Sequence, residues 1–135
     1  MRLSLVAFLL VSCLALVARA DPPDPVGSRL FPPELIMGHQ KDIGLDDKQR
    51  QAIVAEVQRL QAQVVDLQWK MQSAAEELVK LLDEARVDEA KTLAQADQVM
   101  GLERDIKRAH LAALIRIRNV LTADQRAKLQ ALRGK

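Results

Sequence analysis

The chain is predicted to be all-α, a long antiparallel helical hairpin with short flanking helices, on three observations. From Asp46 to about Arg86 there is no glycine or proline. Within that stretch Ile53, Val57, Leu60, Val64, Leu67, Met71, Ala74, Leu78 and Leu81 recur at alternating spacings of four and three, a heptad seam. Beyond the first twenty residues the only aromatics are Phe31 and Trp69, so a core must be aliphatic, and helix packed on helix supplies one.

Taken in order, residues 1–20 read as a secretory signal peptide. Arg2 is followed by an apolar run from Leu3 to Val17 and by Ala18-Arg19-Ala20, a small-x-small cleavage site. Cys13, in Leu10-Val11-Ser12-Cys13, allows a second reading as a lipoprotein lipobox. The apolar run continues to Val17, where a lipidated residue would be followed by a polar tether, so cleavage after Ala20 is preferred. No later stretch is free of charge over the roughly 18 residues that a membrane-spanning helix needs. The expectation is a periplasmic protein that does not span the membrane, without cysteine once processed. Loss of Arg2 and Arg19 reduces the 20 basic residues to 18, equal to the 18 acids.

Residues 21–33 hold Pro22, Pro23, Pro25, Pro32 and Pro33 and are read as an extended arm, since each proline removes a donor and fixes φ. Residues 34–135 are read as the hairpin domain. A short helix is expected from Glu34 to about Lys41, ending near Gly44. The first long helix runs from Asp46, and acids and bases between Asp83 and Glu89 mark its turn. The second, from about Asp88 to Val120, carries the stripe Val99, Leu102, Ile106, Ala109 or His110, Ala113, Ile117 and Val120. Gly101 inside it costs about 1 kcal/mol against alanine and is read as a close approach of the helices.

Leu121-Thr122-Ala123-Asp124-Gln125 opens a last helix. Thr122 and Gln125 form a capping box, the hydroxyl accepting from the Gln125 amide while the Gln side chain reaches back. Leu45-Asp46-Asp47-Lys48-Gln49 repeats it at the first long helix, with Asp46 as N-cap. The pair of boxes, one opening each half of an exported hairpin, resembles the LTxxQ family of bacterial periplasmic proteins. That family includes the chaperone Spy, the stress regulator CpxP, the zinc-associated ZraP and heavy-metal-resistance proteins such as the sensor CnrX. The resemblance spans about residues 31–133; the second box matches fully and the first is degenerate. It implies a four-helix, cradle-shaped, usually dimeric protein serving envelope stress or metal tolerance.

Metal-handling relatives imply clustered histidines. Here His39 and His110 lie in different helices, with Ile43 and Leu114 one turn on, so neither has a partner at helical spacing. A zinc, copper, nickel or cobalt site would have to be assembled across helices from these two with Met37 and Met100. The ordinary account is a packed His110 and core-filling Met37, Met71 and Met100; no cofactor is expected.

Charge is more informative. Residues 76–103 carry eight acids against Lys80, Arg86 and Lys91, net −5; residues 104–135 carry nine bases against Asp105 and Asp124, net +7. Arg104, Lys107, Arg108 and Arg118 share about a third of the helix circumference with Met100, Leu111 and Ile115. Such a face attracts an unfolded chain by charge and holds its apolar segments. The competing account places Leu111 and Ile115 in a wide core or dimer contact under solvated bases. Trp69, opposite Leu60 and Val64, has as candidate partners the Phe31–Ile36 arm, a second subunit or a client.

Beyond the leader there is no cysteine or tyrosine, only Ser28 and Ser73, and no glycine-rich phosphate loop, so an enzyme is not expected. Nucleic acid is not expected, because no aromatic accompanies the bases. The reading is an ATP-independent periplasmic chaperone or stress-response protein, a homodimer binding unfolded proteins on the second long helix. The alternatives are a periplasmic heavy-metal-binding or sensing protein using His39 and His110, and an adaptor or inhibitor of a membrane sensor kinase.

Overall fold

A computed structural model describes residues 24–133, and the signal peptide and Cys13 lie outside them. Four helices follow a 3-10 turn at Gly27–Arg29: α1 (Pro33–Gly38), α2 (Asp47–Leu82), α3 (Glu89–Val120) and α4 (Ala123–Leu132). No strand occurs among the described residues. None of the helices described is long and apolar enough to cross a membrane.

The two long helices pack against each other as the hairpin. α2 persists for 36 residues because nothing in it breaks the backbone ladder and Asp46 caps its start. It ends at Leu82, a turn earlier than expected. The reversal uses Asp83 to Asp88 without glycine or proline, and the Asp88 carboxylate accepts from the Lys91 amide at 3.0 Å to start α3. The α2 seam faces α3, but only Ile53 and Leu81 are fully buried and the residues between them are half-buried. Two helices alone cover each other on one side, so the shaft has a seam rather than a closed core. On α3, Ala109, Ala113 and Ile117 are the buried stripe. Of the two candidates at that level, Ala109 packs inward and His110 is exposed.

The closed core sits at the base of the hairpin, where Phe31, Ile36, Ile43, Ile53, Ile117, Leu121 and Leu129 pack together. The arm, α1, the start of α2, the end of α3 and α4 all contribute to it. The arm therefore departs from the extended expectation over its described part. Asp24 accepts from the Val26 amide at 3.0 Å, the chain turns once through Gly27–Arg29, and Leu30 and Phe31 are buried. Arg133 donates to the carbonyls of Gly27 (3.1 Å) and Leu30, and its guanidinium lies 5.4 Å from the Phe31 ring centroid. Prolines remove donors, but here the arm's carbonyls are what the fold uses. α1 stops at Gly38, short of Lys41, and the chain then winds to Gly44, whose φ of 66° is a left-handed conformation that glycine adopts without penalty.

The shaft is also pinned by charge. Arg116 donates to Glu56 at 2.7 Å across the hairpin, and Glu56, 14% exposed, also meets Arg59 at 3.2 Å.

Gly101 is not at a close helix contact. A Cβ built there meets only the Arg104 guanidinium at 3.8 Å. With its space open and its backbone helical, Gly101→Ala is expected to stabilise the fold by about 0.5–1 kcal/mol. Chemical denaturation of the two forms checks this; a loss of stability would mean that a neighbour does close on that position.

Candidate functional site

The two capping boxes are formed at the starts of α2 and α4. The Asp46 carboxylate accepts from the Gln49 amide at 2.7 Å and Gln49 Oε1 accepts from the Asp46 amide at 3.2 Å. At α4, Thr122 Oγ1 accepts from the Gln125 amide at 3.2 Å and Gln125 Oε1 accepts from the Thr122 amide at 3.0 Å. The sequence assigns these glutamines to helix initiation alone, and the structure gives them a second task. Their side-chain amides face each other 76 residues apart, Gln49 Nε2 donating to Gln125 Oε1 at 2.8 Å and Gln125 Nε2 to Gln49 Oε1 at 2.9 Å. The remaining donors reach matched carbonyls, Gln49 Nε2 to Val120 at 3.0 Å and Gln125 Nε2 to Gly44 at 3.3 Å. Val120 and Gly44 each precede the leucine of the opposite box, Leu121 or Leu45, so the contact is pseudo-symmetric. Leu121 lies in the base core, and half-buried Leu45 packs against it.

The outer face of α3 is exposed along most of its length. Met100, Leu111 and Ile115 are 55%, 42% and 44% exposed, and Arg104, Lys107 and Arg108 lie between them in solvent. Arg118 is set apart, since it is only partly exposed and its Nε donates to the Arg29 carbonyl at 3.2 Å. Leu93, seven residues before Met100 and therefore on the same arc, extends the face toward the tip. The sequence reading passes over it, although its heptad offset was the available signal. Exposure removes Leu111 and Ile115 from any core within one chain. Met37 and Met100 are likewise exposed rather than core fillers.

Trp69 is 67% exposed at the rim of a groove of about 800 Å³ between the long helices, with Ala74 on its own helix and Gly101, Leu102 and Arg104 opposite. Phe31 and Ile36 are committed to the base core, of which Trp69 is no part, so the arm is not its partner.

The two histidines stand apart in chemistry. His39 Nδ1 lies 3.0 Å from Asp42 Oδ2. His110, read from the sequence as packed in the stripe, is exposed, and its Nδ1 lies 3.0 Å from the Ile106 carbonyl, which makes that nitrogen the donor. Among the described residues no three or more His, Cys, Asp or Glu side chains are grouped to hold a metal ion. The described residues thus bring no third such side chain to the His39 and Asp42 pair.

These features define an all-helical hairpin protein with an interlocked base and an exposed basic and apolar shaft. A family model described as heavy-metal resistance matches residues 3–128, and the protein belongs to that family, the one related to LTxxQ and CnrX-type proteins. No curated protein matches the chain, and no solved structure does.

Because the two glutamine amides satisfy one another, Gln49→Ala, which leaves buried Gln125 short of partners, is expected to cost about 1–3 kcal/mol, and Gln125→Ala, which leaves half-buried Gln49 short of them, about 1 kcal/mol or more. The double variant should cost clearly less than the sum. Urea denaturation of the four forms measures the coupling, and strict additivity would show that the two amides act independently.

Proposed function

We propose that this heavy-metal-resistance family member is an exported periplasmic stress protein that acts by binding, not catalysis. It holds unfolded clients without ATP on the outer face of α3. The observation that carries this reading is the interleaving of exposed Met100, Leu111 and Ile115 with exposed Arg104, Lys107 and Arg108 on one helix. Bases draw an acidic or unfolded chain in from a distance, and the apolar side chains between them give it surface to bury. The homodimer belongs to the same reading, and light scattering of the purified protein checks it.

The test is suppression of aggregation of a chemically unfolded acidic client. Arg104→Gln/Lys107→Gln/Arg108→Gln is expected to slow capture about tenfold at low salt, a difference that added salt erases. Leu111→Ser/Ile115→Ser should instead shorten the lifetime of the complex. If both variants protect the client as well as the parent does, the face is not the client site.

Family membership favours a second reading, metal binding, for which the His39 and Asp42 pair is the only histidine-carboxylate contact among the described residues. A complete ligand set would then need donors from a second copy. Calorimetric titration with zinc, copper and nickel distinguishes the two. One tight site lost in both His39→Ala and His110→Ala would replace the client reading with a metal buffer or sensor.

A further inference from the structure

Three arginines converge on a cleft at the base of the hairpin, away from the exposed stretch of α3. The cleft, about 400 Å³, opens between the 3-10 turn, the end of α3 and α4, and Arg29, Arg118, Arg126, Phe31 and Gln130 are among the residues that line it. Among the described residues no carboxylate lines it. None of the three arginines joins an ion pair among the described residues, whereas Arg50, Arg59, Arg104 and Arg116 all do. Three like charges lining one cleft repel one another, and a bound anion relieves that cost.

Two of the guanidinium groups are held in place by the backbone. Arg118 Nε donates to the Arg29 carbonyl at 3.2 Å, and Arg126 Nη1 donates to the Leu121 carbonyl at 2.6 Å. Each keeps further N–H groups, already oriented, so a ligand has little side-chain freedom to freeze out. The planar fork of arginine matches the paired oxygens of a phosphate, and Gln130 adds an uncharged donor.

We propose that this cleft binds a phosphate group, either as free inorganic phosphate or as the headgroup of an anionic phospholipid. The inference is independent of client binding on α3.

The probes are inorganic phosphate, titrated by calorimetry at constant ionic strength, and vesicles of phosphatidylglycerol or phosphatidylcholine, followed by co-sedimentation. Arg29→Gln is the informative variant, because this exposed side chain makes no hydrogen bond within the described residues and its removal leaves the base intact. Loss of one charge-assisted contact is expected to weaken binding about tenfold. Arg59→Gln, an equal loss of charge outside the cleft, should leave binding unchanged. One-to-one phosphate binding weakened by Arg29→Gln supports a free-anion site. Binding confined to phosphatidylglycerol vesicles and weakened by the same change supports the headgroup. Absence of both, or binding equally weakened by Arg59→Gln or untouched by Arg29→Gln, overturns the proposal.

Discussion

The reciprocal amide pair of Gln49 and Gln125 is the contact on which the rest of the architecture is registered. Each amide has two donor hydrogens and two acceptor lone pairs, and here each donates twice and accepts twice. Gln125 is 6% exposed, so this satisfaction is a requirement: a single axial slip of α2 against α3 would leave a buried amide without partners. A network of this kind adds about 0.5–1.5 kcal/mol net per bond, yet discriminates against misregistered pairings by more, since each stranded group costs about 1–3 kcal/mol. With the starts of α2 and α4 joined, Ile53 joins Ile117, Leu121 and Leu129 in the base cluster, and less than one turn further along α2 Glu56 meets Arg116. Register set at the base thus propagates into the shaft.

Base and shaft then differ in kind. At the base five segments surround the apolar side chains, and Ile36, Ile117 and Leu129 are fully buried. In the shaft only two helices meet, so each seam residue is covered from one side while Leu93, Met100, Leu111 and Ile115 have no cover within the chain. That apolar surface is tolerable because long basic side chains interrupt it. It remains the part of the molecule with the most binding energy still to gain.

How much of this was legible follows from which interactions are local. The heptad seam, the hairpin turn and both capping boxes depend on residues within a few positions of one another, and their spacing in the chain carries them. The amide pair joins residues 76 apart, and nothing in either box announces that its glutamine has donors left over for the other. His110 and Ala109 are one residue apart on the same stripe. Helical spacing admits either at that level, and the fold buries the small apolar Ala109 and leaves the polar His110 in solvent. The family resemblance came from the boxes as a repeated pattern, which survives even when the physical reason for the repeat is not evident from either copy.

Charge is where a count along the chain is most misleading. The net +7 of residues 104–135 suggests a uniformly basic half, but the charge is divided between shaft and base, and part of it is met by ion pairs. Arg116 is spent on Glu56, Lys128 lies 3.2 Å from Asp124, and Arg118, Arg126 and Arg133 direct their guanidinium groups at carbonyls of the arm and of Leu121. Arg118 and Arg133 act as clamps that tie the arm's carbonyls to the base, and Arg126 holds the carbonyl at the end of α3. Along the exposed stretch of α3 the cations are Arg104, Lys107 and Arg108, with Arg104 3.4 Å from Asp105. The attractive field of the shaft is therefore narrow and placed midway along α3, between Met100 and Leu111. A chain drawn to it arrives where the apolar side chains are exposed on both sides of the charge, rather than at the closed base.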